Sequence, residues 1–176
     1  GGWEALPDGD TAHYRSGFPT ATGKFHFAPD WAAFGADHAR MPKLPDHLAI
    51  TDEITAEHPY RLVAAPARQF LNTSFTELES SRKRERRPTA LLHPDVMQRL
   101  GIAEDDPVEI GNSRGKVRLH AKPAPAQHRD TIVVESIWPN DAWPDGIGLN
   151  QLLSAEPAPP NGGAAIHDTA VWVQKV

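Results

Sequence analysis

The sequence predicts a mainly β fold with short helices: a small barrel of short strands, preceded by a loop-rich arm. Three observations carry this reading. The chain holds 17 Pro in 176 residues, against a usual share of about 5%, and Pro interrupts both helices and central strands. Several short runs alternate apolar and polar side chains, the period of a half-buried strand. A single compact helix stands among them, rather than the regular alternation of a doubly wound sheet.

The elements follow in order. The stretch to about Pro59 is loop-rich, with Phe25, Phe27 and the run from Trp31 to Phe34 as its apolar points. Thr22, Gly23 and Lys24 read as a turn, and MPKLP at 41–45 as a rigid connector. Two readings stay open for this region: an arm that packs on something larger, or a disordered leader. From Tyr60 the texture changes. YRLVAA at 60–65 predicts a strand ended by Pro66, followed by a polar loop or short helix over 68–80. RKRERR at 82–87 carries five positive charges in six residues and reads as a solvated loop or a docking surface. TALL at 89–92 is a short extended piece. HPDVMQRLG at 93–101 predicts a helix, with Pro94 in the first turn and Gly101 as its stop.

Asp105 and Asp106 turn the chain into a strand, PVEI at 107–110. NSRG at 112–115 turns it again into KVRLHA at 116–121, so the two runs form a hairpin with Val117, Leu119 and Ala121 on one face. TIVVE at 131–135 is a further buried strand and AVWV at 170–173 the last one. Between them lies an irregular stretch rich in Trp, Pro, Gly and Asn, with a short helix at 149–154.

Composition excludes several function classes. Apolar residues make up 39%, and 13 Gly bring the total near the ~45–50% of globular chains. A sizeable core is therefore affordable, and no apolar run approaches the ~18 residues of a membrane span. With no Cys, these residues supply no disulfide, thiolate metal ligand or Cys nucleophile. A net charge of −5 argues against nucleic-acid binding. The chain starts Gly1-Gly2 without Met and shows no basic-then-apolar leader, so it reads as a fragment or processed form whose compartment stays open.

No catalytic or metal motif is present: the nine His match no zinc spacing, and no phosphate-binding Gly loop or nucleophile elbow appears. Loop composition is more informative. RQFLNTS at 68–74 places a guanidinium, two amides and two hydroxyls directly after a strand end. Such a loop can meet an anionic, heteroatom-rich ligand, or Asn72 or Thr73 can simply cap a helix. Asn150 can cap the apolar turn it opens or aim its amide at a ligand. PNGG at 160–163 can expose backbone N–H groups. Trp138 and Trp143 can stack on a flat ring or pack in the core. His167 and Asp168 are adjacent and would face opposite ways on a strand, so they form no dyad by themselves.

The order of these pieces resembles the C-terminal part of the molybdopterin oxidoreductases, the dimethyl sulfoxide reductase superfamily. FPTATGKFHF at 18–27 is similar to the family's FPTPSGKIEF segment, and PKLP at 42–45 falls where the family has its linker. HPYRLV at 58–63 resembles the first strand, and 68–74 the cofactor loop. LHPDVMQRLGI at 92–102 resembles INPEDAARLGI, and DDPVEIGNSRG at 105–115 resembles DGDLVEVSSRRG, with Asp106-Pro107 departing from the usual step. LNQLLS at 149–154 and GAAIHDTAVWV at 163–173 complete the series. The resemblance implies a double-psi β-barrel (aspartate decarboxylase-like) over residues 48–176, and an arm from the preceding domain over 1–47. It implies the bis(molybdopterin guanine dinucleotide) cofactor with molybdenum or tungsten, bound in the full-length parent. Its cofactor contacts would be Ala65, Arg68, Gln69, Asn72, Thr73, Ser74, Asn150 and His167. No catalytic residue and no metal ligand is expected here, because the family's metal ligand and iron–sulfur cysteines lie upstream. The implied partners are the preceding domains of the same polypeptide and an iron–sulfur or other electron-transfer partner. The rival reading is a stand-alone double-psi barrel acting as a protein-interaction adaptor, docking through 82–87. A small separate subunit of a molybdenum or tungsten enzyme is the third.

Overall fold

The computed structural model describes residues 17–44, 46–135, 137–159 and 162–176. It divides into two compact units, Gly1–Leu48 and Ala49–Val176. In the first, Phe18 N donates to the Gly23 carbonyl (3.1 Å) and Gly23 N to that of Thr20 (3.0 Å), closing the turn expected near Gly23. Gly23 has φ +66°, a region that suits a residue without Cβ. Phe25 packs against Phe18 and edge-on against Phe27, with centroids 5.5 and 4.9 Å apart. Two 3-10 turns, Trp31–Phe34 and Ala36–His38, stack the Trp31 and His38 rings. Of the connector at 41–45, Pro45 lies outside the described residues, as do Gly1 and Gly2 and, in the loop at 160–163, Pro160 and Asn161.

The second unit is a closed six-stranded barrel. Its elements are β1 (Tyr60–Ala65), α1 (Glu79–Glu85), β2 (Thr89–Leu92), α2 (Pro94–Leu100), β3 (Pro107–Asn112), β4 (Gly115–Pro123), β5 (Thr131–Glu135) and β8 (Thr169–Lys175). Two short strands, β6 (Pro157–Ala158) and β7 (Gly163–Ala164), pair outside it. Around the barrel the order is β1-β5-β2-β4-β3-β8. β1 pairs in parallel with β5, and β2 in parallel with β4. The two parallel pairs meet through antiparallel β2 and β5 (Ala90 opposite Val134, Leu91 opposite Val133), and the hairpin β3–β4 and strand β8 close the ring. This interlocked crossing is the double-psi barrel.

Alternation explains the interior. Val108, Ile110, Leu119, Ala121, Ile132, Val134 and Val171 are fully buried, while their chain neighbours point outward. Helix α2 adds side chains to the same core. His93 Nδ1 accepts the Asp95 N–H at 3.1 Å, Pro94 needs no partner in the first turn, and Gly101 ends the helix at φ 65°, ψ 30°. Its apolar face buries Val96 and Met97, each worth about 1.5–3 kcal/mol.

Two local readings change. The basic run is not a loop: most of it lies in α1, because Arg, Lys and Glu are good helix formers and Glu79 pairs with Lys83 one turn on (2.7 Å). Its other cations are also engaged: Arg82 with the Thr76 carbonyl, Arg84 with Gln69, Arg86 and Arg87 with Asp105. The helix expected at 149–154 is a 3-10 turn, Leu149–Leu152.

The outer face of the barrel carries a buried carboxylate. Glu109 is only 4% exposed, and register sets Arg118 directly opposite it on β4 and Gln174 on β8. Its Oε1 accepts from Lys116 (2.9 Å) and Arg118 (3.0 Å), and its Oε2 from Gln174 (3.0 Å). The bonds from Lys116 and Arg118 outweigh the cost of burial and hold its pKa down from 4.5 to about 2. A carboxyl more acidic in the folded chain stabilises the fold above 4.5, and that stability is lost as pH falls toward 2. The urea midpoint should therefore drop steeply between these pH values, and Glu109→Gln should lower the midpoint at pH 7 and flatten the drop. Leu119→Ala, at a position with no exposure, should cost about 2–5 kcal/mol in the same assay.

Candidate functional site

Four segments converge beyond the end of β1. Pro66 follows the strand and has no N–H to extend it. Ala67 and Phe70 turn inward, and the Phe70 ring meets Trp138 edge-on at 4.8 Å. The chain then doubles back: Leu71 N donates to the Ser74 carbonyl (3.1 Å) and Ser74 N to that of Leu71 (2.9 Å). Asn72 stands at the tip of this turn with φ +52°, a conformation Asn tolerates better than most residues.

The second segment follows β5. Trp138 and Trp143 are buried, and the Trp143 indole donates to the Trp138 carbonyl (3.4 Å) across the 3-10 turn Asn140–Ala142. Gly148 lies against it so closely that a Cβ would sit 2.7 Å from Asn140 Oδ1 and 3.3 Å from Trp143 Nε1. In the third segment Leu149 and Leu152 turn into the core, which leaves Asn150 between them exposed. The fourth, Ile166 and His167, leads into β8.

Together they line an open cavity of about 420 Å³. Its apolar walls include Ala64, Pro66, Trp138, Trp143 and Leu149, and its polar groups are Asn72, Asn140, Asn150 and His167. Of the eight residues expected to contact a cofactor, Ala65, Asn72, Asn150 and His167 line it. Asn72 and Asn150 make no helix cap: the N-cap of α1 is Leu78 and that of the Leu149–Leu152 turn is Gly148, neither with a side-chain cap bond. Trp138 and Trp143 are both buried and wall-forming.

Arg68, Gln69, Thr73 and Ser74 lie in the same loop but outside the lining. Gln69 is held by α1: its N–H donates to Glu85 (2.7 Å) and its Oε1 accepts from Arg84 (2.9 Å). The Thr73 carbonyl accepts from Thr76 Oγ1 (2.9 Å), and the Ser74 backbone closes the turn with Leu71. Arg68 is exposed. Sequence reasoning missed Asn140 and Gly148. Their only local signals were an amide beside Pro139 and a Gly in a Trp-rich loop. Among the described residues no group of three His, Asp or Glu is placed as a metal site requires, and no helix is long and apolar enough to cross a membrane.

The geometry has counterparts. Residues 60–170 match the family model of the molybdopterin dinucleotide binding domain. "Probable oxidoreductase YoaE" of Bacillus subtilis is 29% identical over 137 residues, 77% of this chain and 20% of that protein. The respiratory nitrate reductase subunit alpha of Haloferax mediterranei is 23% identical over 147 residues, 82% of this chain and 14% of that protein. The chain thus spans a fifth or less of these relatives' lengths. Among solved structures, acetylene hydratase from Pelobacter acetylenicus shares the fold, with a TM-score of 0.68 at 21% identity over 92% of this chain and 24% of that one. On the family match, which covers well over half its length, the chain belongs to the molybdopterin dinucleotide binding domain family.

Proposed function

We propose that this chain clamps part of a bis(molybdopterin guanine dinucleotide) cofactor within a larger molybdenum or tungsten oxidoreductase. The observation that carries the reading is the cavity itself: three amides and an imidazole over apolar walls that include two Trp. Its volume lies within the roughly 300–1,000 Å³ of small-molecule sites. A side-chain amide both donates and accepts, which suits a heterocycle whose edge alternates N–H and C=O groups. The residues present therefore fit a pterin or guanine edge, and Asn72, Asn140, Asn150 and His167 would hold it. Arg68, Gln69, Thr73 and Ser74 would form an outer ring of contacts. There Arg68 offers a guanidinium to phosphate oxygens.

When bound, the cofactor supplies redox chemistry at its metal–dithiolene centre. The work of this chain is binding and orientation. The amides fix the heterocycle's register by hydrogen bonds, and the buried Trp138 and Trp143 keep water from the wall behind it. The metal ligand, substrate site and electron-transfer partner, iron–sulfur or other, would belong to the preceding domains of the same polypeptide. The adaptor reading draws no support from the basic run, whose five cations all have partners.

The test uses the polypeptide that carries this domain, purified anaerobically from cells that make the cofactor. Metal content and acid-released guanine nucleotide are measured together, and near-stoichiometric molybdenum or tungsten with about two guanines per metal is expected. Asn72→Ala combined with Asn150→Ala should reduce guanine retention about tenfold or more, since each lost hydrogen bond is worth about 0.5–1.5 kcal/mol. Gly148→Val should give a comparable loss, because its side chain displaces Asn140 and Trp143. A well-folded protein with neither metal nor guanine would sink the proposal.

A further inference from the structure

Trp138, Trp143 and Leu149 anchor the cavity walls in the core, but two of the walls are also tied to each other by side chains that line no part of the cavity. These two, the Leu149–Leu152 turn with Asn150 and the segment with Ile166 and His167, come from separate stretches of chain. Both are fastened by one polar cluster whose residues line no part of the cavity. At its centre is Arg114, at the tip of the β3–β4 hairpin. Its Nε donates to the Leu152 carbonyl at 2.7 Å, and its two terminal nitrogens fork onto the Asp52 carboxylate. Asp52 Oδ2 in turn accepts the Ala170 N–H at 3.1 Å, at the start of β8 and three residues beyond His167.

Other bonds close the cluster. Asn112 Nδ2 reaches the Leu152 carbonyl (2.9 Å), Gln151 Nε2 donates to the Arg114 carbonyl (2.8 Å), and Arg61 donates to the backbone carbonyls of Asp52 (2.8 Å) and Asp168. Gly115 makes room for this: its φ is +157°, and a Cβ there would stand 2.7 Å from Gln151 Cγ. The ion pair is half-buried, with side-chain exposures of 29% and 28%. Burial pushes the Asp52 carboxyl up, but the Arg114 and Ala170 bonds and the charges of Arg114 and Arg61 prevail and keep it below the ordinary carboxylate range. A planar guanidinium can serve a carboxylate and a carbonyl at once, which an ammonium cannot do in the same geometry.

We propose that Arg114 is a positioning residue for the cavity, joining the wall that carries Asn150 to the wall that carries His167 through the Leu152 carbonyl and Asp52. The inference rests on the cofactor-clamping reading of that cavity. Arg114 touches no cavity surface itself; it sets the spacing of two groups that do.

The experiment compares the full polypeptide with Arg114→Gln, Arg114→Lys and Asp52→Asn, reading amide hydrogen exchange by peptide and guanine released by acid. In Arg114→Gln, peptides covering 149–153 and 168–170 should exchange at least tenfold faster while those of β2, β4 and β5 stay unchanged, and guanine retention should fall at least tenfold. Asp52→Asn should loosen mainly 168–170. Arg114→Lys should restore protection at 168–170 through its charge on Asp52, but not at 149–153, a split that a general stabilising role would not produce. Uniformly faster exchange across the barrel, or no change in either wall, would overturn the positioning role. Absence of guanine from the unmodified protein would instead overturn the clamping reading, and the exchange pattern would still decide whether Arg114 joins the walls.

Discussion

Closure of the six-stranded ring is the constraint from which the rest of the second unit follows. A closed barrel has no free edge, so every strand must present one alternating set of side chains to a shared interior. That requirement puts Val108, Ile110, Leu119, Ile132 and Val134 out of contact with water. It also forces the connections out through the barrel's ends, because two of the pairings are parallel and cannot be made by tight hairpins. Among those connections are the segments around Asn72, Asn140 and Asn150. The cavity is thus a by-product of closure: loops that must cross the barrel end meet there, and their polar side chains have nowhere to turn but inward to it or outward to solvent.

Much of the barrel was legible in the sequence because alternation is a local property. The runs at 60–65, 89–92 and 131–135 are strands with those bounds, and α2 announces itself by Pro94 and Gly101. The site was legible only in part, because its geometry is not local. The polar residues of the loop at 68–74 are alike in chemistry, yet the Leu71–Ser74 turn sets Asn72 at the cavity and leaves the others outside its lining. Asn140 and Gly148 owe their place to Trp143, which no spacing rule reveals. The basic run misled for a related reason. Five charges suggest an open surface until Thr76, Gln69, Glu79 and Asp105 are seen to meet them.

Besides the Glu109 cluster inside the β3–β4 ladder, three ionic contacts of this unit sit at strand ends and turns. Asp105 receives Arg86 and Arg87 at the entry to β3, Asp106 receives Lys175 at the end of β8, and Asp52 receives Arg114 at a hairpin tip. The more exposed of these pairs contribute little to stability one by one. Their positions matter more than their number, since each ties a chain reversal to a strand that would otherwise fray.

Glu109 has a further consequence for how the chain finds its register. It lies between Val108 and Ile110, both turned into the core. Sliding β3 by one residue against its neighbours would turn this carboxylate inward and the two aliphatic side chains out to water. The error would strand Lys116, Arg118 and Gln174 without their acceptor and bury a charge with none of its donors. A strand of aliphatic residues alone would have no such penalty, because neighbouring registers would look nearly alike. Glu109 therefore acts as a proofreading mark on the barrel wall, tolerating one alignment of three strands and rejecting those a single residue away.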